Sequence, residues 1–306
     1  MLNNLRVILL IIFILKSVFG FSQTAVDSFL KPSDSLNKPR RNTLVISEAS
    51  TASLALVGLN QLWYAGYPHS NLHSINDNQE WLQMDKAGHL FSSYHIGTFG
   101  ANALQWSGCS KQSQLLYGAT LGLAFMTTVE VFDGYSSQWG FSWGDMAANA
   151  TGTTFFVSQE LLWKEQRIVP KFSFHTTSYA AVRPEELGSS FTQQILKDYN
   201  GQTYWLSANM HSFFKHSKLP VWLNLALGYG ADGMISGTEN FKDSDLYPKY
   251  QRTRQFYLSL DADLSKIQTK SHLLKTIFSV FTSIKIPAPT IEISNVTGFR
   301  FHYLYF

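Results

Sequence analysis

The chain of 306 residues carries 24 Lys and Arg against 21 Asp and Glu, a formal net charge of +3, with 45% hydrophobic, 15% aromatic and 15% charged residues. A balance this close to neutral, whose densest basic group is Lys38, Arg40 and Arg41, argues against nucleic acid as a partner. Charge well below the roughly 25% usual in soluble domains points instead to contact with a membrane or another envelope component. The mean hydropathy of -0.07 is too low for a polytopic membrane protein.

The first residues have the form of a secretory signal peptide over 1–22: Arg6, an apolar stretch over 7–15 closed by Lys16, then the small residues Gly20 and Ser22. That stretch is shorter than the roughly 20 residues a membrane-spanning helix needs. The chain is therefore expected to be exported, to the periplasm or outer membrane of a Gram-negative-type envelope. No cysteine follows the apolar stretch, and Cys109 is the single cysteine, so neither lipidation there nor an intramolecular disulfide is expected.

Residues 23–43, with Pro32 and Pro39 among Ser, Lys and Asp, are expected to be a flexible leader. Apolar residues at helical spacing then predict a helix over 44–64, ended by Gly66 and Pro68, and a loop over 69–80. Three more helices are predicted over 84–106, 114–132 and 143–164, giving a helical domain over 44–167. Small residues along them, Gly97, Gly122 and Gly152 among others, permit close helix approach. The most apolar run, 115–129, is short for a bilayer span.

From 168 to 306 the chain turns β-rich, with strands predicted over 171–182, 204–214, 221–229, 256–264 and 290–294 and a short helix over 271–285 stopped by Pro287 and Pro289. The fold class expected is α+β: a four-helix amino-terminal unit followed by a smaller antiparallel β-rich carboxy-terminal region. The closing strand carries Phe299, Phe301, Tyr303, Tyr305 and Phe306. It resembles the last strand of an outer-membrane barrel in one register, whereas the other holds Arg300, His302 and Leu304. A membrane-contacting sheet and the core strand of a soluble sheet both fit.

Three predicted helices present polar side chains at contact spacing. Asp85 and His89 are i,i+4 beside Lys86, Glu130 and Asp133 are i,i+3, and Asp145 and Asn149 are i,i+4 with Gly152 one turn on. Convergence of these faces would make one buried polar cluster of Asp85, His89, Glu130, Asp133, Asp145 and Asn149. Unpaired buried charge costs several kcal/mol per group, on the order of a whole ion pair, so such groups must pair, bind a ligand or shift their pKa.

Each piece also has a structural reading. Ser142 with Asp145 fits a helix cap, Asp133–Gly134 a helix end with a left-handed glycine, Asp85 an amino cap, and His89 a hydrogen-bonded core histidine. Glu130 ends the most apolar helix and needs a partner, for which Lys86 and His89 are the candidates. A hydrolytic reading takes His89 or Glu130 as general base and Lys86 as stabiliser of negative charge. A metal reading gathers His89, Glu130, Asp133 and Asp145. No H-E-x-x-H, nucleophile elbow, phosphate loop or dinucleotide fingerprint is present. The sequence thus assigns no cofactor and no metal, and leaves the oligomeric state open. Trp139, Phe141 and Trp143 among glycines, and Tyr204 with Trp205, are candidate binding rims.

The order Asp85-Lys86-x-x-His89 with Tyr94, Glu130-x-x-Asp133 and Ser142-x-x-Asp145-x-x-x-Asn149-x-x-Gly152 resembles the YfiM-like family of uncharacterised periplasmic proteins. It is also similar to VanZ-like membrane proteins linked to glycopeptide resistance. The tail, with 198–205 and 286–289, resembles the long Bacteroidetes-type version of that family. The resemblance implies an envelope location and supplies no activity, substrate or cofactor. The reading that follows is an envelope protein that binds a ligand or partner, or is structural, near a membrane through the polar cluster. The alternatives are a hydrolase of lipid or cell-wall material and a protein associated with an outer-membrane β-barrel.

Overall fold

The computed structural model describes residues 25–238 and 250–306. The expected signal peptide over 1–22 lies outside them. Helix α1, Lys38–Leu59, starts inside the stretch expected to be a leader, because Asn37 caps it through Oδ1 to the Arg40 N–H at 3.0 Å and Pro39 occupies its first turn. It continues through a π-turn, Asn60–Tyr64. Helices α2, Met84–Trp106, α3, Leu121–Gly134, and α4, Trp143–Leu162, follow as expected. The sequence-predicted start of α3 at residue 114 corresponds to a further π-turn, Gln114–Gly118.

Close approach between α2 and its neighbours depends on glycine. A Cβ on Gly122 would sit 2.0 Å from the Ser93 carbonyl oxygen, and one on Gly152 would sit 2.2 Å from that of Leu90. α2, α3 and α4 therefore form a tight packet, with Tyr94, Ala101, Ala119 and Phe156 in its core. α1 lies against the packet loosely. None of its residues is buried, and Val45, Ile46, Leu54 and Val57 are exposed. Residues 38–64 and 111–134 are each long and apolar enough to cross a membrane by length and composition. The second exceeds the apolar run read from the sequence because the two helical pieces on either side of residue 119 are continuous.

A two-stranded parallel pair, β1 (Ser74–Ile75) with β2 (Phe141–Ser142), ties the loop before α2 to the start of α4. The carboxy-terminal half is an antiparallel meander of six strands: β3 Ile168–Phe174, β4 Gln202–Asn209, β5 Leu223–Asp232, β6 Thr253–Ala262, β7 Ala288–Ser294 and β8 Gly298–Tyr305. Among the described residues β3 and β8 are edges, so the sheet is open. Helix α5, His272–Phe281, precedes β7. The strand predicted over 171–182 stops at Phe174. Short helical turns, Tyr179–Val182, Pro184–Leu187 and Phe191–Lys197, fill the connection to β4, the last capped by Ser190.

The sheet is inside out relative to a soluble one. Its covered face carries Lys171, Ser173, Thr203, Ser207, Asn224, Asp261, Thr290 and Glu292, all buried, whereas Leu206, Leu225, Leu227, Phe256, Leu258, Leu260 and Ile293 are exposed on the other face. In β8, Phe299 and Phe301 pair with Ile293 and Ile291 and so join the apolar face, while Arg300 and His302 pair with Glu292 and Thr290. Inside, Lys171 meets Asp261 at 2.6 Å, and the Trp205 indole donates to Ser173 Oγ at 2.9 Å. Half-buried antiparallel sheets in water show the opposite polarity, and the walls of transmembrane barrels show this one.

One connection joins the two halves at the start of α2. Trp81, Leu82 and Gln83 have φ of 46, 50 and 64°, three successive non-glycine residues in the left-handed region. That conformation costs about 1–2 kcal/mol per residue. The carboxy-terminal region holds it in place. The Trp81 N–H donates to Gly237 O at 2.8 Å, the Tyr229 hydroxyl donates to Leu82 O, and Arg254 Nη2 donates to Gln83 Oε1 at 2.6 Å.

Candidate functional site

The polar faces of α2, α3 and α4 meet. Asp85, Lys86 and His89 lie in the first two turns of α2, Glu130 and Asp133 in the last turns of α3, and Asp145 and Asn149 in the first two turns of α4. α2 and α4 run parallel and α3 antiparallel to both, so the end of α3 meets the starts of the other two. Ser142 caps α4, its Oγ accepting from the Asp145 N–H at 3.1 Å, so the cap and the site share residues. Asp85 is not an amino cap, since Gln83 holds that position with left-handed backbone. Gly134 is not left-handed either. It is small because a Cβ there would meet Leu72 Cδ1 at 2.6 Å.

Lys86 is the hub on one side. Its Nζ lies 2.8 Å from Asp77 Oδ1, 3.0 Å from Asp85 Oδ2 and 3.1 Å from Asp145 Oδ1. Asp77, from the loop before α2, also accepts from the Ser142 hydroxyl at 2.6 Å. On the other side, His89 Nδ1 stands 3.1 Å from Asn149 Oδ1 and 3.4 Å from Glu130 Oε1. Glu130 Oε2 accepts from the Ser142 N–H at 3.0 Å. Ligand atoms of His89, Glu130 and Asp145 all lie within 4.8 Å of one another, as do those of Asp77, Asp85 and Asp145.

Three carboxylate oxygens in this cluster, Asp85 Oδ1, Glu130 Oε1 and Asp145 Oδ1, accept no hydrogen bond. Glu130 Oε1 faces His89 at a distance and alignment too poor for one. Asp145 Oδ1 is near the Lys86 ammonium but at an angle too acute. Asp133 is directed elsewhere, accepting at Oδ1 from the Tyr64 hydroxyl at 2.9 Å, so it belongs to the margin of the cluster rather than to the His89 group. The partner of Glu130 is His89, not Lys86, whose nearest carboxylates are Asp77, Asp85 and Asp145.

Burial dominates the electrostatics. It pushes the Glu130 carboxyl up to about 9, with the Asp145 charge adding to the effect. It also raises Asp133 to about 7 against the Tyr64 hydrogen bond, and Asp145 to about 6 against the charges of His89 and Lys86. Burial raises Asp85 and lowers His89, favouring a neutral imidazole. At Asp77 burial is outweighed by the hydrogen bonds from Lys86 and Ser142, which hold the carboxyl below its usual range. Lys86 is raised, its surrounding carboxylates outweighing burial, and stays charged.

The cluster opens onto a cavity of about 510 Å³. Asp77, Asp85, His89, Asp133 and Asp145 form its polar floor. Its walls are apolar and aromatic, with Leu59, Trp63, Trp81, Phe91, Ile96, Phe125, Trp139, Tyr199 and Tyr204. Of the aromatic candidates, Trp139 and Tyr204 line this cavity. Trp143 points outward, and Trp205 is buried within the sheet. Asp77 and Tyr64 escape the sequence reading, the first because it lies in an aperiodic loop, the second because it ends a helix otherwise unburied. The Asp198-Tyr199-Asn200 run mainly pins a loop: Asn200 Nδ2 donates to Met234 O at 2.8 Å and Asn200 Oδ1 accepts from the Met234 N–H at 2.7 Å.

Residues 75–160, the segment that carries most of this cluster, match the model of a family described as predicted periplasmic lipoprotein (DUF2279). That segment is thus similar to an uncharacterised periplasmic family, which agrees with an exported protein of the periplasm or outer membrane. No curated protein and no solved structure matches the chain. Cys109, the single cysteine, is folded into the turn after α2, where its N–H donates to Leu104 O at 3.0 Å.

Proposed function

We propose that the protein is an envelope protein that takes an amphipathic, lipid-like molecule into the cavity between its helical packet and its sheet. The observation that carries this reading is the division of one cavity into a carboxylate–histidine floor and an aromatic, apolar wall. A molecule with an apolar chain and a head rich in hydrogen-bond donors or positive charge satisfies both parts, and a free polar solute satisfies only the floor. The YfiM-like likeness belongs to this proposal, since its motif residues are those of the floor and its packing.

The outward polarity of the sheet supports a position against a bilayer, with Leu225, Leu227, Leu258 and Leu260 toward the acyl chains. α5 adds Leu274, Ile277, Val280 and Phe281, all exposed. A ligand drawn from that bilayer would not have to cross water to reach the cavity.

Trp63, Trp81 and Trp139 report on occupancy because they line the cavity. The full exported chain, in mild detergent, is titrated with phosphatidylethanolamine carrying brominated acyl chains while tryptophan fluorescence is followed. Saturable quenching is expected, and Ile96→Trp, which fills the wall, should weaken it by roughly tenfold. Quenching that rises linearly without saturation, or that is unchanged in Ile96→Trp, would reject the reading.

A further inference from the structure

We propose that His89, Glu130 and Asp145 bind one divalent transition-metal ion, of the Zn2+ or Mn2+ kind, beside the floor of the cavity. One ligand atom from each lies within 4.8 Å of the other two. Metal–ligand bonds of about 2.0–2.2 Å require those atoms to close by under about 1 Å, which side-chain rotation supplies. One imidazole nitrogen with two carboxylate oxygens is a donor set suited to borderline first-row ions rather than to Ca2+, which prefers oxygen throughout.

The cluster is not merely acidic. Glu130 is 1% exposed, and its Oε1 faces the trio without a hydrogen-bond donor, while Asp145 Oδ1 has the Lys86 ammonium at 3.1 Å but accepts no hydrogen bond from it. An unpaired buried acceptor costs roughly 1–3 kcal/mol, and a cation held between Glu130, Asp145 and His89 answers the Glu130 oxygen. The adjacent trio, Asp77, Asp85 and Asp145, shows what satisfies such an arrangement here. It is the same size and holds the Lys86 ammonium at 2.8–3.1 Å from all three carboxylates. In the His89 trio only Asp145 reaches that ammonium, which leaves Glu130 Oε1 without a cation or a donor.

Its outer support is also in place. Glu130 Oε2 is fixed by the Ser142 N–H, Asn149 Oδ1 lies 3.1 Å from the His89 ring, and Ser142 Oγ fixes the Asp145 backbone. Asp133, which the sequence alone would have included, is instead held by Tyr64. The inference does not depend on whether the cavity takes an amphiphile.

The test is metal binding by the full exported chain after EDTA treatment and dialysis. Zn2+ and Mn2+ are titrated by calorimetry, and bound metal is counted by mass spectrometry after gel filtration. One ion per chain is expected, with a higher melting temperature on addition. Glu130→Gln and Asp145→Asn should each lose roughly tenfold or more in affinity while keeping their circular dichroism, and Asp133→Asn should bind as the unsubstituted chain does. Should one carboxylate variant fail to fold, the other and the stoichiometry of the unsubstituted chain still decide. Substoichiometric binding, or unchanged affinity in Glu130→Gln or Asp145→Asn, overturns the proposal, as does loss confined to Asp133→Asn.

Discussion

Replacing Lys86 by Met tests whether the cluster is an interior ion network or a solvated surface group. Lys86 Nζ has three carboxylate contacts between 2.8 and 3.1 Å, and its side chain is 13% exposed. Met preserves most of the stem's length and packing, so the change is nearly confined to charge. Breaking a buried pair from one side costs about 3–5 kcal/mol, against 0–1 kcal/mol for an exposed pair. Here three carboxylates lose their cation together, which places the expected loss at the upper figure. For a chain of this size, with 2–4 °C per kcal/mol at the upper end of single-domain lengths, the melting temperature should fall by roughly 10–20 °C. Urea unfolding at pH 7.5, followed by circular dichroism, measures it. Adding Asp77→Asn should recover part of the loss, because one of the stranded charges is removed with it. A loss under about 1 kcal/mol, with no recovery in the double variant, would refute the network reading.

Gly122→Val should cost about 1–3 kcal/mol by prising α3 from α2, whereas Gly58→Ala, which meets nothing within 4 Å, should be neutral or stabilising; melting temperatures of the pair separate crowding from composition. Ser142→Ala removes both the cap on Asp145 and the hydroxyl donated to Asp77, so about 2–3 kcal/mol should be lost in urea unfolding. Burial depresses His95, whose Nε2–H donates to Pro170 O at 2.7 Å, to about 4 from an ordinary 6.5. The unfolded chain then binds the extra proton first, so this stability is complete above pH 6.5 and declines as pH falls toward 4, by roughly 3 kcal/mol. His95→Asn should flatten that part of the pH–stability curve; an unchanged curve would count against it. Leu227→Asp with Leu258→Asp should reduce flotation with phospholipid vesicles while leaving circular dichroism intact, if the outward sheet face meets lipid.

The helices and the meeting of His89, Glu130, Asp145 and Asn149 were legible because helical spacing fixes which side chains share a face, and glycines such as Gly122 and Gly152 let those faces close. Asp133 shows the limit of spacing. At i+3 from Glu130 it sits about 60° around α3, enough to reach Tyr64 instead of His89. Asp77 was invisible because no period assigns a direction to a loop residue. In the sheet, alternation told which residues lie together, Phe299 with Phe301 and Arg300 with His302, but the same alternation describes either polarity. Only the fold shows that the polar set is covered. The left-handed Trp81–Leu82–Gln83 turn had no signal at all, since glycine or asparagine would ordinarily mark it.

That turn makes the matched segment 75–160 a borrower of shape. Its first α2 residues take their direction from a bend that relaxes on its own, and the groups that keep it bent, Gly237, Tyr229 and Arg254, arrive more than 140 residues later in the chain. Until β5 and β6 are laid down, Asp85, Lys86 and His89 have their helix but not their aim. A fragment ending at the helices would therefore hold the same residues in a different arrangement. The carboxy-terminal half is the jig in which the site is set.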